Sequence, residues 1–148
     1  MMKYIYIVIV LIIGCIVSIQ GSINTQLTTY LKNPLQGALV NFFVGFISLI
    51  CLNVIFRVKI PTYEIIKVIP FYLFLGGFLG VVFVTSVIFF IPKLGVSTVL
   101  AASIAGQMIT ASVIDHFGLF GFQPISFNIT RFIGCVFLLI GVMLIQNK

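Results

Sequence analysis

The chain has 148 residues, of which 61% are hydrophobic and 7% charged, and its formal net charge is +6. Soluble domains carry roughly 25% charged residues, so a soluble protein is excluded and one membrane domain over residues 1–148 is expected. The eight Lys and Arg residues are scattered singly near the ends of apolar runs, as in membrane proteins, and this spacing argues against a nucleic-acid partner.

The first apolar run, "MMKYIYIVIVLIIGCIVS", starts like a secretory signal peptide, with a Lys followed by apolar residues. It continues beyond the length of such a peptide, and no A-x-A-like cleavage site follows. We therefore predict that residues 4–31 form a first membrane-spanning helix.

Four further apolar runs are separated by charges and by Pro or Gly. A hydrocarbon core of about 30 Å needs about 20 helical residues, and the runs lack the period-two alternation of strands. Only helices or closed barrels satisfy the backbone in lipid, so the expected fold class is an all-α integral membrane protein with five transmembrane helices. The remaining spans are predicted at residues 35–56, 68–91, 94–117 and 126–145.

Five spans place the two termini on opposite sides of the membrane. The two sides carry five and three basic residues, namely Lys3, Arg57, Lys59, Lys67 and Arg131 on the N-terminal side, and Lys32, Lys93 and Lys148 on the other. The positive-inside rule places the N-terminal side in the cytoplasm, but a margin of two is small. Both orientations can therefore coexist and form an antiparallel homodimer; the alternative is a single orientation with a different partner.

Uncharged polar side chains recur along several spans at helical spacing. Membrane helices associate through small residues and interhelical hydrogen bonds, so helix packing is one interpretation of this pattern. The other is a cavity for a polar ligand, because a buried amide without a hydrogen-bond partner is costly. The candidate binding residues are Gln20, Asn24, Asn41, Ser103 and Gln107.

Sequence features of enzymes are missing from the chain. No charged residue lies near the middle of a span, where proton-coupled transporters carry one, and no hydrolase, zinc or nucleotide motif occurs. The cysteines, Cys15, Cys51 and Cys135, show no metal-ligand spacing. We therefore expect no enzymatic activity, no cofactor and no metal site.

The stretch "AGQMITASVIDHFGLFG" contains the only Asp and the only His of the chain, Asp115 and His116. As neighbours on a helix they point about 100° apart, which suits neither a shared metal nor an acid–base pair. Gly118 is placed to end the fourth span, so Asp115 lies in a last turn whose dipole disfavours its charge. We predict that an interfacial ion pair with Arg131 compensates; the alternative is that both side chains reach separately toward the headgroups.

Three segments, "GCIVSIQGSINTQL", "GGFLGVVFVTSVIFFIPKLGVST" and "AGQMITASVIDHFGLFG", resemble the YdcZ-type proteins of the drug/metabolite transporter superfamily, in the same order. The resemblance implies a five-helix unit in the bacterial plasma (inner) membrane, which is half of a ten-helix assembly with inverted repeats. The matching positions are Gln20, Asn24, Pro92, Lys93, Gly95, Gln107, Asp115, His116 and Gly118. The glutamate of the first helix of small multidrug-resistance proteins has no counterpart here, so their proton exchange does not carry over.

The expected function is passage or export of a small polar or amphipathic solute by a dimer, homodimeric or built with a homologous subunit. Its site lies near the midplane of the bilayer, where inverted-repeat transporters bind their substrates. Two alternatives remain open from the sequence: a channel for a small ion or neutral solute, and a non-transporting subunit that stabilises a partner.

Overall fold

A computed structural model describes residues 2–147, with the backbone alone at Lys3. In this part of the chain all regular secondary structure is helical, and five helices are long and apolar enough to cross a membrane. The chain is thus an all-α integral membrane protein, as its sequence predicts. Lys148 and the side chain of Lys3, which count in the charge balance, lie outside the described residues.

The chain divides into two compact units, one ending at Phe89 and one beginning at Phe90; the single domain expected from sequence stays a prediction. The first unit contains α1 (Met2–Leu31), α2 (Pro34–Ile55), the short α3 (Tyr63–Lys67), a 3₁₀ turn (Phe71–Phe74) and most of α4 (Leu75–Leu94). The second contains α5 (Val96–Phe117), a 3₁₀ turn (Leu119–Gly121) and α6 (Ile129–Gln146).

A two-residue turn joins α1 to α2 as an antiparallel hairpin. Lys32 adopts φ 57°, and the side chain of Asn33 caps α2 by accepting the Leu35 N–H at 2.9 Å. Pro34 occupies the first helical position, where its missing N–H removes no helical bond. This turn brings the last two turns of α1 against the first turns of α2.

The boundaries of the third span, predicted at 68–91, differ from the structure. The span begins at Phe71, in the 3₁₀ turn that Pro70 precedes. It continues through Pro92 to Leu94. A proline removes one helical hydrogen bond, which the last turn tolerates. The helix ends where Gly95 takes φ 82° while its N–H still donates to the Ile91 carbonyl at 2.9 Å.

The last span also starts later than the predicted residue 126. Asn128 is the N-cap of α6 and its side chain accepts the Arg131 N–H at 2.9 Å, so the helix begins at Ile129. At 18 residues and 1.5 Å each, α6 is about 27 Å long, slightly shorter than the hydrocarbon core. Arg131 consequently lies in the first turn of α6.

Candidate functional site

The connection from α5 to α6 is fixed at its first residue by Gly118. This glycine takes the left-handed conformation at φ 60°, as the sequence predicts for the end of the fourth span. A Cβ at position 118 would lie 2.8 Å from Pro124 Cγ and 2.9 Å from the Phe122 carbonyl oxygen. The connection therefore folds back tightly over the end of α5.

Asp115 is tied to the same connection by its backbone and by its carboxylate. Its carbonyl accepts the Ile125 N–H at 2.7 Å, and its Oδ2 accepts a hydrogen bond from Arg131 Nη1 at 3.0 Å. The ion pair expected from the sequence is thus present. Both charges lie at helix ends whose dipoles disfavour them, so each offsets the unfavourable position of the other.

The ion pair leaves most of its hydrogen-bonding capacity unused. The side chains of Arg131 and Asp115 are 34% and 38% exposed, and a single N–H···O contact joins them. A guanidinium has five N–H donors and a carboxylate has two oxygens. Within the described residues, four donors of Arg131 and Oδ1 of Asp115 remain available to a ligand.

His116 is held by a different contact. Its Nδ1 accepts the backbone N–H of Phe127 at 3.2 Å, so the neutral ring carries its proton on Nε2, and the ring packs edge-on against Phe117 with centroids 4.8 Å apart. No cluster of three or more His, Cys, Asp or Glu residues suited to a metal ion occurs in the described part of the chain. His116 thus anchors the connection between α5 and α6.

A cavity of about 580 Å³ opens between α5 and α6 beside the ion pair. Apolar and small side chains form most of it, with Asp115 and Arg131 as its charged groups. Pockets for small ligands have volumes of about 300–1,000 Å³, so the cavity has the size of a ligand site. Its lining is Met108, Ala111, Ser112, Asp115, Arg131, Gly134, Cys135 and Leu138.

In the first unit, Asn24 and Asn41 lie one turn beyond a close contact between α1 and α2. A Cβ at Gly37 would overlap the hydroxyl oxygen of Thr28 and lie 3.8 Å from the Asn24 carbonyl oxygen. Asn24 is one turn from Thr28 and Asn41 is one turn from Gly37, so in this antiparallel hairpin they lie at a similar level. Asn24 is 6% exposed, Asn41 is half-buried, and neither amide has a hydrogen bond within the described residues.

The other sequence-predicted binding residues occupy different environments. Gln20 and Gln107 are exposed near the middles of α1 and α5 and have no side-chain hydrogen bond among the described residues. Ser103 is half-buried and donates its hydroxyl hydrogen to the Val99 carbonyl at 2.7 Å. Its hydroxyl oxygen can still accept a hydrogen bond.

A family model described as "Putative inner membrane exporter, YdcZ" matches residues 5–144. The chain belongs to the YdcZ family. No curated protein and no solved structure matches it at a significant level.

Membership of the YdcZ family places the chain in the inner membrane as a multi-pass protein, in agreement with its five membrane-spanning helices. The family description also favours a membrane transporter over an enzyme. The drug/metabolite transporter superfamily, the dimer and the midplane site remain predictions for this YdcZ-family protein.

One polar group of this YdcZ-family chain was not predicted from the sequence as a candidate site residue. The Thr85 hydroxyl oxygen in α4 is buried and has no hydrogen-bond partner within the described residues, whereas the adjacent Ser86 donates to the Val82 carbonyl at 2.7 Å. The dipeptide Thr85–Ser86 interrupts a long apolar run, and that interruption was the available signal.

Proposed function

We propose that the chain forms an antiparallel dimer that exports a small polar or amphipathic solute through a midplane site lined by uncharged amides. The candidate binding residues are those predicted from the sequence: Gln20, Asn24, Asn41, Ser103 and Gln107. The family match supports transport in general; the dimer and the site are proposals argued from the residues.

The amide groups of Gln20 and Gln107 carry this proposal. Both are exposed on the surface of a single chain, near the middle of a membrane-spanning helix, where no water is available in lipid. A polar group without a hydrogen bond in such surroundings costs several kcal/mol. A second subunit or a polar solute must therefore cover these amides in the working protein.

Buried polar groups in the first unit support the same conclusion. The Thr85 hydroxyl is buried without a hydrogen bond among the described residues, although nearly all buried polar groups in native proteins are paired. Asn24 is 6% exposed as a residue, and its amide has no hydrogen bond in the same part of the chain. Unpartnered groups of this kind suit a polar solute or a second subunit, since either can supply the hydrogen bonds.

The low burial of individual spans supports a dimer. In the most apolar 18-residue stretch of each of α1, α2 and α6, only 6% of the residues are buried. The corresponding share is 17% in the third span and 22% in the fourth. An odd number of spans means that a second copy must insert with the opposite orientation to form inverted halves, and inverted-repeat transporters bind substrate between such halves.

The decisive experiment compares substrate flux per folded dimer in liposomes for Gln107→Leu, Asn24→Leu and the matched control Asn53→Leu. Asn53 Nδ2 donates to the Leu49 carbonyl of its own helix at 2.8 Å, so its loss removes an amide that already has a partner within its own helix. A panel of labelled neutral, anionic and cationic solutes identifies a cargo first. We expect little flux from the first two variants and wild-type flux from the control.

Wild-type flux from Gln107→Leu and Asn24→Leu would show that these amides only pack. Interhelical hydrogen bonds in membranes average about 0.6 kcal/mol, so each variant should still fold. Flux that does not saturate would favour the channel. Absence of flux with a co-purifying membrane protein would favour the non-transporting subunit.

A further inference from the structure

We infer that the cavity beside Asp115 and Arg131 binds the anionic end of an amphipathic monoanion, with Arg131 as the anion-binding residue. The inference that this monoanion is the cargo rests on the proposed transport function. The binding of the monoanion to the cavity can be measured without transport. The occupant that we assign is a free amphiphile with one carboxylate and an apolar body.

The first argument for this site is charge complementarity between Arg131 and a ligand carboxylate. Arg131 uses one N–H donor for Asp115, and its guanidinium can present two parallel donors to a second carboxylate, which is its preferred geometry. Arg131 also lies in the first turn of α6, where the helix dipole favours a nearby anion. A ligand carboxylate at this point would compete with the carboxylate of Asp115 for the charge of the guanidinium.

The second argument for this site is the shape and the apolar lining of the cavity. Beyond the ion pair the walls are apolar or small, with Met108 and Leu138 on α5 and α6 and no further charged group. The floor at Gly134 is open, because a Cβ there would meet no atom within 4 Å. A ligand with an apolar body therefore fits behind a single charged end.

Asp115 acts as an internal competitor in this arrangement. Its single contact with Arg131 holds the site in a neutral state, and 38% exposure of its side chain lets a ligand displace it. This role predicts that removing the Asp115 charge strengthens anion binding. A purely structural ion pair predicts no such gain.

The test uses ¹³C-methyl methionine NMR of the full chain in phosphatidylcholine nanodiscs, titrated with decanoate and with decyltrimethylammonium. Met108 lines the cavity, whereas Met143 is 70% exposed on α6 and reports nonspecific partition. We expect a saturable shift of the Met108 signal with decanoate alone. Met143 should move little and without saturation.

Four variants assign the effect to the cavity. Arg131→Gln should weaken decanoate binding by at least about tenfold, as expected for loss of a charge-assisted hydrogen bond, and Asp115→Asn should tighten it by about threefold or more. Gly134→Leu should fill the cavity and abolish binding. Gly141→Leu is the matched control on α6, because a Cβ there also meets nothing within 4 Å and the residue does not line the cavity.

Several results would overturn the inference. These are equal shifts with both amphiphiles, no saturation at Met108, weaker binding in Asp115→Asn, or retained binding in Gly134→Leu. A Met108 shift produced by phosphatidylglycerol in the nanodisc, and not displaced by decanoate, would assign the site to a lipid headgroup. Saturable decanoate binding without decanoate flux would support this site and exclude decanoate as a cargo, whereas the proposed transport function is tested separately by the solute panel.

Discussion

Gly37 of α2 lies against Thr28 of α1 so closely that a Cβ at position 37 would overlap the threonine hydroxyl oxygen. That hydroxyl is held in place because it donates to the Asn24 carbonyl at 2.9 Å. The small residue thus allows α1 and α2 to approach, as small residues do at membrane helix interfaces.

Gly37→Ala should destabilise the detergent-solubilised protein by about 1–3 kcal/mol, because overpacking forces Thr28 or the helices to move. Gly45→Ala is the matched control on α2, since a Cβ there meets nothing within 4 Å. Its effect should be neutral or slightly stabilising because alanine favours the helix. Equal melting temperatures for the two variants would contradict the packing role of Gly37.

The Asp115–Arg131 pair should show a coupling free energy in a double-mutant cycle. The side chains are 34% and 38% exposed, so we expect about 0.5–1 kcal/mol, as for partly exposed pairs. The cycle uses Asp115→Asn, Arg131→Gln and the double variant, with detergent stability as the measurement. Additive effects would show that the pair does not stabilise the contact between α5 and α6.

Gly118→Ala should destabilise the protein more than Gly121→Ala. Both glycines have positive φ, at 60° and 83°, so both substitutions strain the backbone. Only at position 118 would the new Cβ also clash, with Pro124 and with the Phe122 carbonyl. We expect a difference of about 1 kcal/mol or more in thermal stability, and similar losses in the two variants would contradict the tight connection.

The single histidine makes the Phe127 contact directly observable. In ¹⁵N-histidine NMR the neutral ring should carry its proton on Nε2, because Nδ1 accepts the Phe127 N–H. A neutral ring protonated on Nδ1 would contradict this hydrogen bond.

The sequence predicted the spans well because length and apolarity alone define a membrane helix. Their ends were harder to predict. The sequence predicted that the third span ends at residue 91, because Pro92 and Lys93 follow. The helix nevertheless reaches Leu94, since a proline removes only one helical hydrogen bond. Asn128 determines the start of α6 through its side-chain hydrogen bond, which an apolar pattern does not show.

The ion pair was predictable because Asp115 and Arg131 are charges that the helix ends leave uncompensated, and few partners exist in so apolar a chain. The cavity beside it was not predictable. It depends on Gly134 of α6 lining the same cavity as Met108 and Ala111 of α5, and the sequence of either helix alone gives no information about that register.

The final prediction concerns orientation in the membrane. The basic residues divide five to three between the two sides, so both orientations should occur, with an excess of molecules whose N-terminal side is cytoplasmic. A cysteine at Asn147, in a chain lacking Cys15, Cys51 and Cys135, should react with an impermeant reagent from both sides.

Changes in the charge balance should then change the fraction of molecules in each orientation. Arg57→Gln with Lys59→Gln makes the division three to three, so labelling from the two sides should become nearly equal. Lys32→Gln makes it five to two and is the matched control, because it should increase the original excess. Complete labelling from one side in all three proteins would exclude dual topology, and the antiparallel homodimer would then give way to a pairing with a different subunit.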